Sequence, residues 1–396
     1  MKILFALTYY RPHISGLTIY VQRLAEALAQ HGHSITVLTS RYNIRLPREE
    51  TMDGVRVVRS PVRGRISKGV IMPTYLFHAM ALIRTHDVVV TNLPSTPCES
   101  MLLPFLTQWI WKRPLAAIYH CDVTLPPGMQ NRLIERMVSA MNGWGSMLAD
   151  TIVAYTHDFA ENSRILRRFS RKVIVIPPPI VIAMATPDDV RAFQQRYAPN
   201  GERLIAFVAR LASEKGVEYA AQALPEIHRT YPGAKILFVG EHQAVIGEGH
   251  YSRRMKPLLD RLGSAWVFMG VLETAQMAIF FSACDVTILP SINNTESFGL
   301  VQVESMLCGT PVVATDLPGV RAPIRETGMG LIVPPRDPKA LAHAVVEIIR
   351  HRDRFVRRRE DLDKHFTLAA TLRGYENLFQ EVIHHREPIA SKSTDD

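Results

Sequence analysis

The stretch at residues 286–316 reads VTILPSINNTESFGLVQVESMLCGTPVVATD and decides the fold. Its apolar and polar pattern predicts a short strand at Val286–Leu289, a polar loop, a helix, and a second strand at Pro311–Ala314. Glu296 lies in the loop and Glu304 in the helix, so two carboxylates flank the start of the helix. An ionised carboxylate accepts hydrogen bonds from the hydroxyls of a sugar or a ribose. The stretch therefore predicts an α/β fold with a ligand that carries several hydroxyls.

The residues between the two glutamates predict an anion site at the same helix end. The N–H groups of Phe298, Gly299 and Leu300 would have no partner within the helix and would point at an anion, helped by the helix dipole. Gly299 has no Cβ and so permits close approach of the backbone. A ligand with both a phosphate and several hydroxyls fits this combination.

As a whole, the stretch resembles the signature of the retaining glycosyltransferases of family 4, which have the GT-B architecture. In that family Phe-Gly stands between two glutamates, and a small-Gly-x-Pro-Val-Val-Ala run follows. The matching residues here are Glu296, Phe298, Gly299, Glu304, Gly309, Pro311, Val312, Val313 and Ala314. The resemblance implies two facing Rossmann-like domains, with the nucleotide-sugar in the second and the acceptor in the first. It also implies that Glu304 holds the ribose and Glu296 the 3- and 4-hydroxyls of the donor sugar.

Length and composition indicate a two-domain globular protein. The chain has 396 residues, too many for one ordinary core, of which 47% are hydrophobic and 21% charged. No apolar run approaches the ~18 residues of a membrane span, and the N-terminal apolar run is too short for a signal peptide. The four cysteines have neither metal nor disulfide spacing and are expected to be reduced. We therefore expect a cytoplasmic protein.

The net charge of +9 is concentrated in the N-terminal half. Residues 1–185 hold 21 Lys and Arg against 11 Asp and Glu, a net of +10, which leaves 25 against 26 and a net of −1 in the remainder. Neither half has the interleaved aromatic residues of a nucleic-acid platform, so nucleic acid is not expected as a partner. An anionic acceptor or an anionic membrane surface fits the basic half better, and peripheral association with the inner face of the cell membrane stays open.

The alternation of strands and helices predicts the domain boundaries. A strand at Lys2–Leu7, a helix at Ile19–Gln30 and a strand at Ser34–Thr39 form the βαβ unit that opens a doubly wound sheet. A second βα pattern begins near Leu204, after a polar stretch. We therefore predict domains at 1–185 and 186–370, a helix at 371–386 and a disordered tail at 387–396. The resemblance implies that the first domain binds the acceptor, that the second binds the nucleotide-sugar, and that the helix packs back on the first domain.

The loop after the first strand offers candidate ligand-binding residues. It lies at the carboxyl end of a parallel strand, where ligands bind in such sheets. Ser15 and Gly16 stand where the family has two adjacent glycines, and Thr18 stands where it usually has a glutamate. We predict that His13, Ser15 and Gly16 contact the acceptor, and that Gly16 also permits close approach of a donor phosphate.

A histidine stands at the end of another strand of the first domain. The strand Leu115–Tyr119 is followed by His120, and Asp122 comes two residues later. Alone, such a histidine is usually structural. Family members carry a histidine here, and the resemblance implies that His120 acts on the transferred sugar at its 6-hydroxyl and at the reacting centre. Asp122 is a candidate for contact with the acceptor.

Cationic residues open the second domain. The strand Leu204–Val208 is followed by Arg210 and Lys215, then a glycine and a helix. Arg can clamp a diphosphate through two hydrogen bonds and Lys can add a point charge. The segment matches the family's Gly-Arg-Leu…Glu-Lys-Gly motif, with Ala209 in place of the glycine, and this implies that both cations bind the donor phosphates.

Two further turns of the second domain are candidates for donor contact. Gly240 follows the strand Ile236–Val239, and the family usually has a second glycine where Glu241 stands. Val271 lies in a segment whose backbone holds the nucleotide base in the family. At Pro318-Gly319 the family usually has Gly-Gly, so that contact departs from the pattern.

Two segments of the first half have alternative interpretations. Residues 41–73 are basic and turn-rich, which indicates either a solvated surface loop or a loop that faces the acceptor or a membrane. Cys98–Lys112 is a largely apolar helix with Trp109 and Trp111, for which core packing is favoured over membrane anchoring.

The resemblance implies a retaining transfer of a hexose from a UDP-glucose-like sugar or GDP-mannose to a sugar or lipid-linked acceptor, in polysaccharide or glycoconjugate biosynthesis. Arg210, Lys215 and helix-end amides would neutralise the leaving diphosphate, so neither a metal nor another cofactor is required. One alternative is a non-hydrolysing nucleotide-sugar epimerase, which needs an acid/base pair that the sequence does not reveal. Another is a non-catalytic GT-B partner subunit, which would be expected to lose the cationic pair or a glutamate. An NAD-dependent enzyme is disfavoured because the first βα turn lacks GxGxxG.

Overall fold

The computed structural model describes residues 1–66, 69–125, 128–243, 245 and 247–386. The chain forms two compact units, the first made of Met1–Pro179 with Leu368–Asp396 and the second of Ile180–Thr367. The first unit therefore ends at Pro179, six residues before the domain boundary predicted at 185. The chain returns to it at Leu368, three residues before the predicted start of the C-terminal helix at 371. The predicted disordered tail at 387–396 lies outside the described residues.

The first unit is built on an eight-stranded sheet. Its strand order is β10-β9-β8-β7-β1-β2-β4-β3, and every neighbouring pair is parallel except β3 with β4. A separate two-stranded ribbon is formed by β5 and β6. The strands are β1 Lys2–Ala6, β2 Ser34–Arg41, β3 Glu49–Met52, β4 Val55–Pro61, β5 Gly64–Ile66, β6 Gly69–Ile71, β7 Val88–Leu93, β8 Leu115–Tyr119, β9 Thr151–Ala154 and β10 Val173–Val175. The central strands β7 and β8 are buried along their whole length, as expected for a parallel sheet covered on both faces.

Helices cover this sheet. They are α1 Gly16–Gln30, α2 Tyr75–Thr85, α3, which comprises the consecutive segments Cys98–Leu102, Leu103–Phe105 and Leu106–Ile110, α4 Met129–Leu148 and α5 His157–Asn162, with a short 3-10 segment at Leu166–Lys172. The parts of α3 before and after Leu103–Phe105 have π-helical bonding. The core packing predicted for this helix is present on one side only. Trp111, just beyond the helix, packs against the core, whereas Trp109 is 66% exposed.

The basic segment 41–73 is not a solvated loop. It contains the strands β3, β4, β5 and β6, and β4 pairs along its length with β2. Arg59 is buried, donates to the backbone oxygen of Arg11 at 3.0 Å and pairs with Glu50 at 2.5 Å. The arginines interrupt the apolar alternation of β4, and this is why the segment reads as a loop. Lys68, counted with this segment, lies outside the described residues.

The second unit is built on a six-stranded, wholly parallel sheet with the order β13-β12-β11-β14-β15-β16. The strands are β11 Leu204–Val208, β12 Lys235–Val239, β13 Trp266–Gly270, β14 Val286–Leu289, β15 Val312–Thr315 and β16 Gly330–Val333. Its helices are α6 Pro187–Tyr197, α7 Val217–Thr230, α8 Gly249–Asp260, α9 Thr274–Ala283, α10 Leu300–Leu307, α11 Ala322–Thr327, α12 Pro338–Arg350, α13 Arg352–Phe355 and α14 Arg359–Asp363. Apolar side chains of the strands and of α7 and α12 form the largest core of the unit. The strand–loop–helix–strand order predicted for residues 286–316 is present.

The last helix belongs to the first unit. Helix α15, Leu368–His384, buries Leu378 and Phe379, and the hydroxyls of Tyr375 and Tyr20 are hydrogen-bonded to each other. Thr371 donates to the backbone oxygen of Pro177 at 3.0 Å. The predicted return of the C-terminal helix to the first domain is therefore confirmed. Among the described residues, no helix combines the length and apolarity needed to cross a membrane.

Candidate functional site

The topology of the second sheet places a crevice between β11 and β14. From β11 the chain adds β12 and β13 on one side, and it then returns to add β14 on the other side. This reversal of strand order is a topological switch point. The loops that follow the two adjacent strands run in opposite directions there, and ligands bind in the crevice between them, at the carboxyl ends of the strands. The two loops here are residues 209–216 and 290–299. They contain the predicted donor residues Arg210, Lys215, Glu296, Phe298 and Gly299.

An ion pair joins these two loops. Lys215 Nζ lies 2.6 Å from Glu296 Oε2, and the two side chains are only 20% and 15% exposed. Gly216, next to Lys215, has a left-handed φ of 67°, and a Cβ there would lie 2.0 Å from the backbone oxygen of Pro290. Only glycine permits this approach. The backbone contact thus brings the cation of one loop to the carboxylate of the other.

Glu296 also binds the start of α10. Its Oε1 accepts the N–H of Gly299 at 3.1 Å. Gly299 has a φ of 76°, and a Cβ there would lie 2.3 Å from Leu289 Cδ2. The amide of Gly299 is therefore held by Glu296 rather than free, in contrast to the prediction of three free amides. Phe298 is a core residue whose ring contacts that of Phe366, with centroids 6.1 Å apart.

The remaining donor residues follow neighbouring strands of the same sheet edge. Arg210 Nη2 lies 3.2 Å from Glu214 Oε1. Gly240 donates its N–H to the oxygen of Gly270 at 2.7 Å, and a Cβ on Gly240 would lie 2.1 Å from the oxygen of Ala209. Val271 follows β13 directly and is exposed. The carboxyl ends of β11, β12, β13 and β14 therefore all contribute predicted residues.

Glu304 lies on α10 and is buried. The helix begins at Leu300, between the two glutamates, as predicted. Gln302 of the same helix donates through Nε2 to the backbone oxygens of Phe298 and Val320, the latter at 2.9 Å. The sequence analysis assigned no role to Gln302 or to Glu214, which hold the loop before α10 and the Arg210 guanidinium. Glu214 belongs to the Gly-Arg-Leu…Glu-Lys-Gly motif, whereas the signal for Gln302 was only its place between Phe298 and Glu304.

In the first unit, His120 is part of a buried polar network. Asn92 donates through Nδ2 to the oxygen of Ala6 at 3.0 Å, so its Oδ1 accepts the proton of His120 Nε2 at 2.8 Å. The hydroxyl of Tyr155 then donates to Nδ1 of the same ring. Burial lowers the pKa of His120 to about 3. The imidazole is therefore neutral at physiological pH, with its proton on Nε2.

The predicted acceptor residues lie at the ends of β1 and β8. Ser15 is the N-cap of α1 and accepts the N–H of Thr18 at 3.2 Å, and Gly16 is the exposed first residue of the helix. No described heavy atom lies within 4 Å of a Cβ built on Gly16, so the protein itself does not require glycine there. The ring of His13 lies 4.9 Å from that of Tyr9.

Asp122 is held by hydrogen bonds of the first unit. Its Oδ1 accepts the hydroxyl of Tyr119 at 2.7 Å and that of Ser163 at 2.9 Å. These contacts fix the carboxylate next to the end of β8, two residues after His120.

Two family models match the chain over most of its length. The model for glycosyl transferases group 1 matches residues 189–365, which include both glutamates and the cationic pair, and the model for a glycosyl transferase 4-like domain matches residues 15–179. The chain belongs to the group 1 glycosyltransferases.

Relatives of this glycosyltransferase include enzymes with different acceptors. It is 27% identical to the D-inositol 3-phosphate glycosyltransferase of Acidothermus cellulolyticus over 84% of this chain and 78% of that protein. It is 26% identical to the 2-deoxystreptamine glucosyltransferase of Streptomyces kanamyceticus over 84% of this chain and 89% of that protein.

Solved structures share the GT-B fold of this glycosyltransferase. The sucrose-phosphate synthase of Thermosynechococcus elongatus aligns with a TM-score of 0.78 at 22% identity, over 97% of this chain and 99% of that one. Anabaena HepE in complex with UDP-glucose aligns with a TM-score of 0.77 at 18% identity, over 96% and 100% of the two chains. These likenesses establish the fold.

Proposed function

We propose that this glycosyltransferase moves a hexose from a nucleotide diphosphate sugar, UDP-glucose-like or GDP-mannose, to a sugar or lipid-linked acceptor, with retention of the anomeric configuration. Polysaccharide or glycoconjugate biosynthesis is the proposed context. The observation that carries this proposal is the Lys215–Glu296 ion pair at the switch point of the second sheet. The UDP-glucose held by a protein of the same fold supports the donor class.

The charge on the leaving diphosphate is assigned to cations of the chain. Arg210 and Lys215 stand in one loop at the carboxyl end of β11, and the start of α10 stands across the switch point. Cations and helix-end amides that are already in place stabilise developing negative charge without reorganising during the reaction. In this proposal no metal takes part.

The two glutamates are assigned to hydroxyl groups of the donor. Glu304 accepts the ribose hydroxyls and Glu296 those of the transferred sugar. Lys215 orients Glu296, because the ammonium lies 2.6 Å from one carboxylate oxygen and the Gly299 amide binds the other. Gly240 and Val271 are assigned to contact with the nucleotide on the same sheet edge.

His120 is assigned a neutral role at the acceptor domain. A ring whose pKa is lowered to about 3 by burial does not exchange protons with a substrate near pH 7. We therefore assign to His120 hydrogen bonding to the transferred sugar, and to His13, Ser15, Gly16 and Asp122 contact with the acceptor.

Retention is proposed to occur by front-face attack, in which the departing phosphate accepts the proton of the acceptor hydroxyl. No carboxylate of the second unit stands out as a sugar nucleophile: Glu296 is tied to Lys215 and to the Gly299 amide. A covalent glycosyl-enzyme trapped on an Asp or Glu and found by mass spectrometry of peptides would contradict this mechanism.

Two other functions remain as alternatives. An epimerase on the same architecture would convert the donor sugar without any acceptor, so product analysis with donor alone separates it from a transferase. A non-catalytic partner subunit would not need Arg210, Lys215, Glu296 and Glu304, which are all present here.

The decisive experiment is a thermal-shift screen with UDP, GDP, ADP and their hexose conjugates. A ligand that binds only the folded protein at about 100 times its Kd stabilises it by ~3 kcal/mol, which raises the midpoint measurably. Lys215→Ala is expected to weaken nucleotide binding roughly tenfold or more, since it removes a charge-assisted contact. Glu304→Ala should weaken binding of the conjugates and of the free nucleotide alike.

Lys256→Ala serves as the matched control, because Lys256 is an exposed lysine of the same unit that pairs with Asp260 on its own helix. It should leave every nucleotide shift unchanged. If no nucleotide raised the midpoint of the wild type, or if Lys215→Ala and Lys256→Ala behaved alike, the proposed donor site would be wrong and the partner-subunit alternative would gain support.

A further inference from the structure

Helix α4 of the first unit exposes apolar side chains to solvent and packs on the unit through small and polar residues. Its buried residues are Asn142, Gly145 and Ser146. Its exposed large hydrophobic side chains are Met129, Leu133, Ile134, Met137, Trp144 and Met147. A surface helix of a globular protein normally buries its apolar stripe and leaves its polar side in water. The packing of this unit therefore leaves the apolar side of α4 uncovered.

Helix α3 extends this apolar surface. Met101, Phe105 and Trp109 recur every four residues on one exposed side, and the rings of Phe105 and Trp109 stack with centroids 6.1 Å apart. The two helices touch, because a Cβ on Gly145 of α4 would lie 2.7 Å from the backbone oxygen of Ser100. Trp109 and Met147 line the same shallow depression, so the exposed rows of the two helices meet there. We call the exposed side chains of α3 and α4 the apolar face.

The charges on the apolar face are positive. Within residues 98–112 and 128–148, all of which the structure describes, the exposed charged residues are Lys112, Arg132 and Arg136. Of the two carboxylates in these ranges, Glu99 is fully buried, and Glu135 is half-buried and accepts the backbone N–H of Leu125.

The depression at the end of the apolar face adds further cations. Lys112, Lys172 and Arg386 line it, and its one carboxylate, Asp150, is bound by Arg386 and by the N–H of Leu115. The face therefore combines exposed apolar side chains with a positive rim.

We propose that the apolar face docks this protein on an anionic phospholipid membrane. The apolar side chains would enter the boundary between headgroups and acyl chains, with Trp109 and Trp144 at the depth that tryptophan favours. Arg132, Arg136 and Lys112 would contact lipid phosphates. A second copy of the chain placed face to face would bring these like charges together, whereas anionic headgroups complement them. This inference does not depend on the proposed glycosyl transfer.

Vesicle sedimentation of the full chain tests the docking. Wild-type protein should sediment with vesicles of phosphatidylcholine and phosphatidylglycerol, bind phosphatidylcholine alone far more weakly, and lose the difference as salt is raised. The double variant Leu133→Glu and Met137→Glu should bind at least about tenfold more weakly, because it places charge where apolar side chains would be buried. Arg132→Gln with Arg136→Gln should weaken binding by about fivefold per arginine and flatten the salt dependence.

Met184→Glu is the matched control. Met184 is 79% exposed and belongs to the second unit, whereas Met137 of α4 is 57% exposed, so both changes place a glutamate in water. Neither Met184→Glu nor the double variant at Leu133 and Met137 should alter the thermal midpoint of the protein, or the shift of that midpoint on addition of nucleotide. A variant that lost vesicle binding but kept the nucleotide shift would therefore separate the docking from the donor site.

Fluorescence quenching gives a second readout. Trp109 and Trp144 are exposed, whereas Trp111 and Trp266 pack against the cores of their units, so acyl chains brominated near the headgroup should quench only the first two. The proposal is overturned if wild-type protein stays in the supernatant with anionic vesicles, if the double glutamate variant binds like the wild type, or if bound protein is not quenched. It is equally overturned if the chain is a stable dimer in solution that the same variant dissociates, since a second copy would then cover the face.

Discussion

Glu99 shows how burial changes the chemistry of a single residue. The side chain is fully buried beyond the end of β7, and Thr96 Oγ1 donates to its Oε2. Burial raises the pKa of this carboxyl from 4.5 to about 7, against the lowering effect of that hydrogen bond. The folded protein therefore holds a proton on Glu99 at pH values where the unfolded chain has released it.

The pKa of Glu99 predicts a pH-dependent free energy of unfolding. Because the folded state binds this proton more tightly, its contribution is complete below pH 4.5 and is lost as the pH rises to about 7. At about 1.4 kcal/mol per pKa unit, the loss is on the order of 3 kcal/mol. Glu99→Gln cannot ionise, so its stability relative to the wild type should rise through this pH window in urea denaturation. Glu161→Gln, at an exposed carboxylate, is the control. A Glu99→Gln difference that is constant with pH would show that the carboxyl ionises normally.

His120 illustrates the limit of prediction at the residue scale. The strand end at Tyr119 was predictable from the apolar run before it. The tautomer was not, because it depends on Asn92 and Tyr155, which are 28 and 35 residues away in the chain. A histidine at a strand end is therefore visible in the sequence, whereas its neutral state is visible only in the packed unit.

At the scale of elements, the turn between β14 and α10 requires glycine for two separate reasons. Gly299 has a left-handed φ of 76°, and a Cβ built on it would lie 2.3 Å from Leu289 Cδ2 of β14. Gly309, at the other end of the helix, has a similar φ of 79° but no described heavy atom within 4 Å of a built Cβ. A side chain at Gly309 would therefore meet only backbone strain, whereas one at Gly299 would meet both strain and a steric clash.

Substitution of the two glycines by alanine should have different effects. Gly309→Ala is expected to lower the free energy of unfolding by about 1 kcal/mol, the cost of a left-handed residue with a Cβ. Gly299→Ala should cost roughly 1–3 kcal/mol more, since its Cβ would overlap Leu289 Cδ2. Urea denaturation of the two variants checks the difference. Equal losses of stability would mean that the loop before α10 relaxes away from β14 at little cost. Gly299→Ala should also reduce the nucleotide shift, because Glu296 binds the displaced amide.

At the scale of the whole molecule, the chain leaves the first unit at Pro179 and returns to it at Leu368. Helix α15 packs there through Tyr375, Leu378 and Phe379, and Glu376 pairs with His31 and His33 near the end of α1. The first unit therefore cannot complete its core until the second unit has been synthesised.

Phe379→Ala tests the membership of α15 in the first unit. Removing a buried phenylalanine should lower the free energy of unfolding by roughly 3–5 kcal/mol. Hydrogen exchange should become faster in β1, β7 and β8 and stay unchanged in β11 and β14. Arg373→Ala, an exposed position of the same helix, should alter neither region. Faster exchange in the second sheet would contradict the division of the chain.

The sequence by itself determined the buried parallel strands on either side of the predicted loops, the helices between them and the family, but not the strands β3 to β6. Apolar runs specify where parallel strands lie, because buried strands need them on both faces. The motif at 286–316 carries the donor residues because their spacing is local: a loop, a helix start and one helical turn. The cationic pair after β11 was visible for the same reason, whereas the return of the last helix was predicted from the resemblance to the family.

Only the tertiary structure decided what each side chain faces. Lys215 and Glu296 are 81 residues apart in the chain. They meet because β11 and β14 are neighbours in the sheet and because Gly216 and Gly299 allow close contact with Pro290 and Leu289. Arg59 became a buried residue because β4 pairs with β2, although the local sequence indicated a loop. The exposure of the apolar side of α4 could not be predicted from the sequence. Hydrophobic periodicity shows that a helix is amphipathic, but it does not show which side packs. Contacts between distant residues set these outcomes, and the linear order of the chain does not contain them.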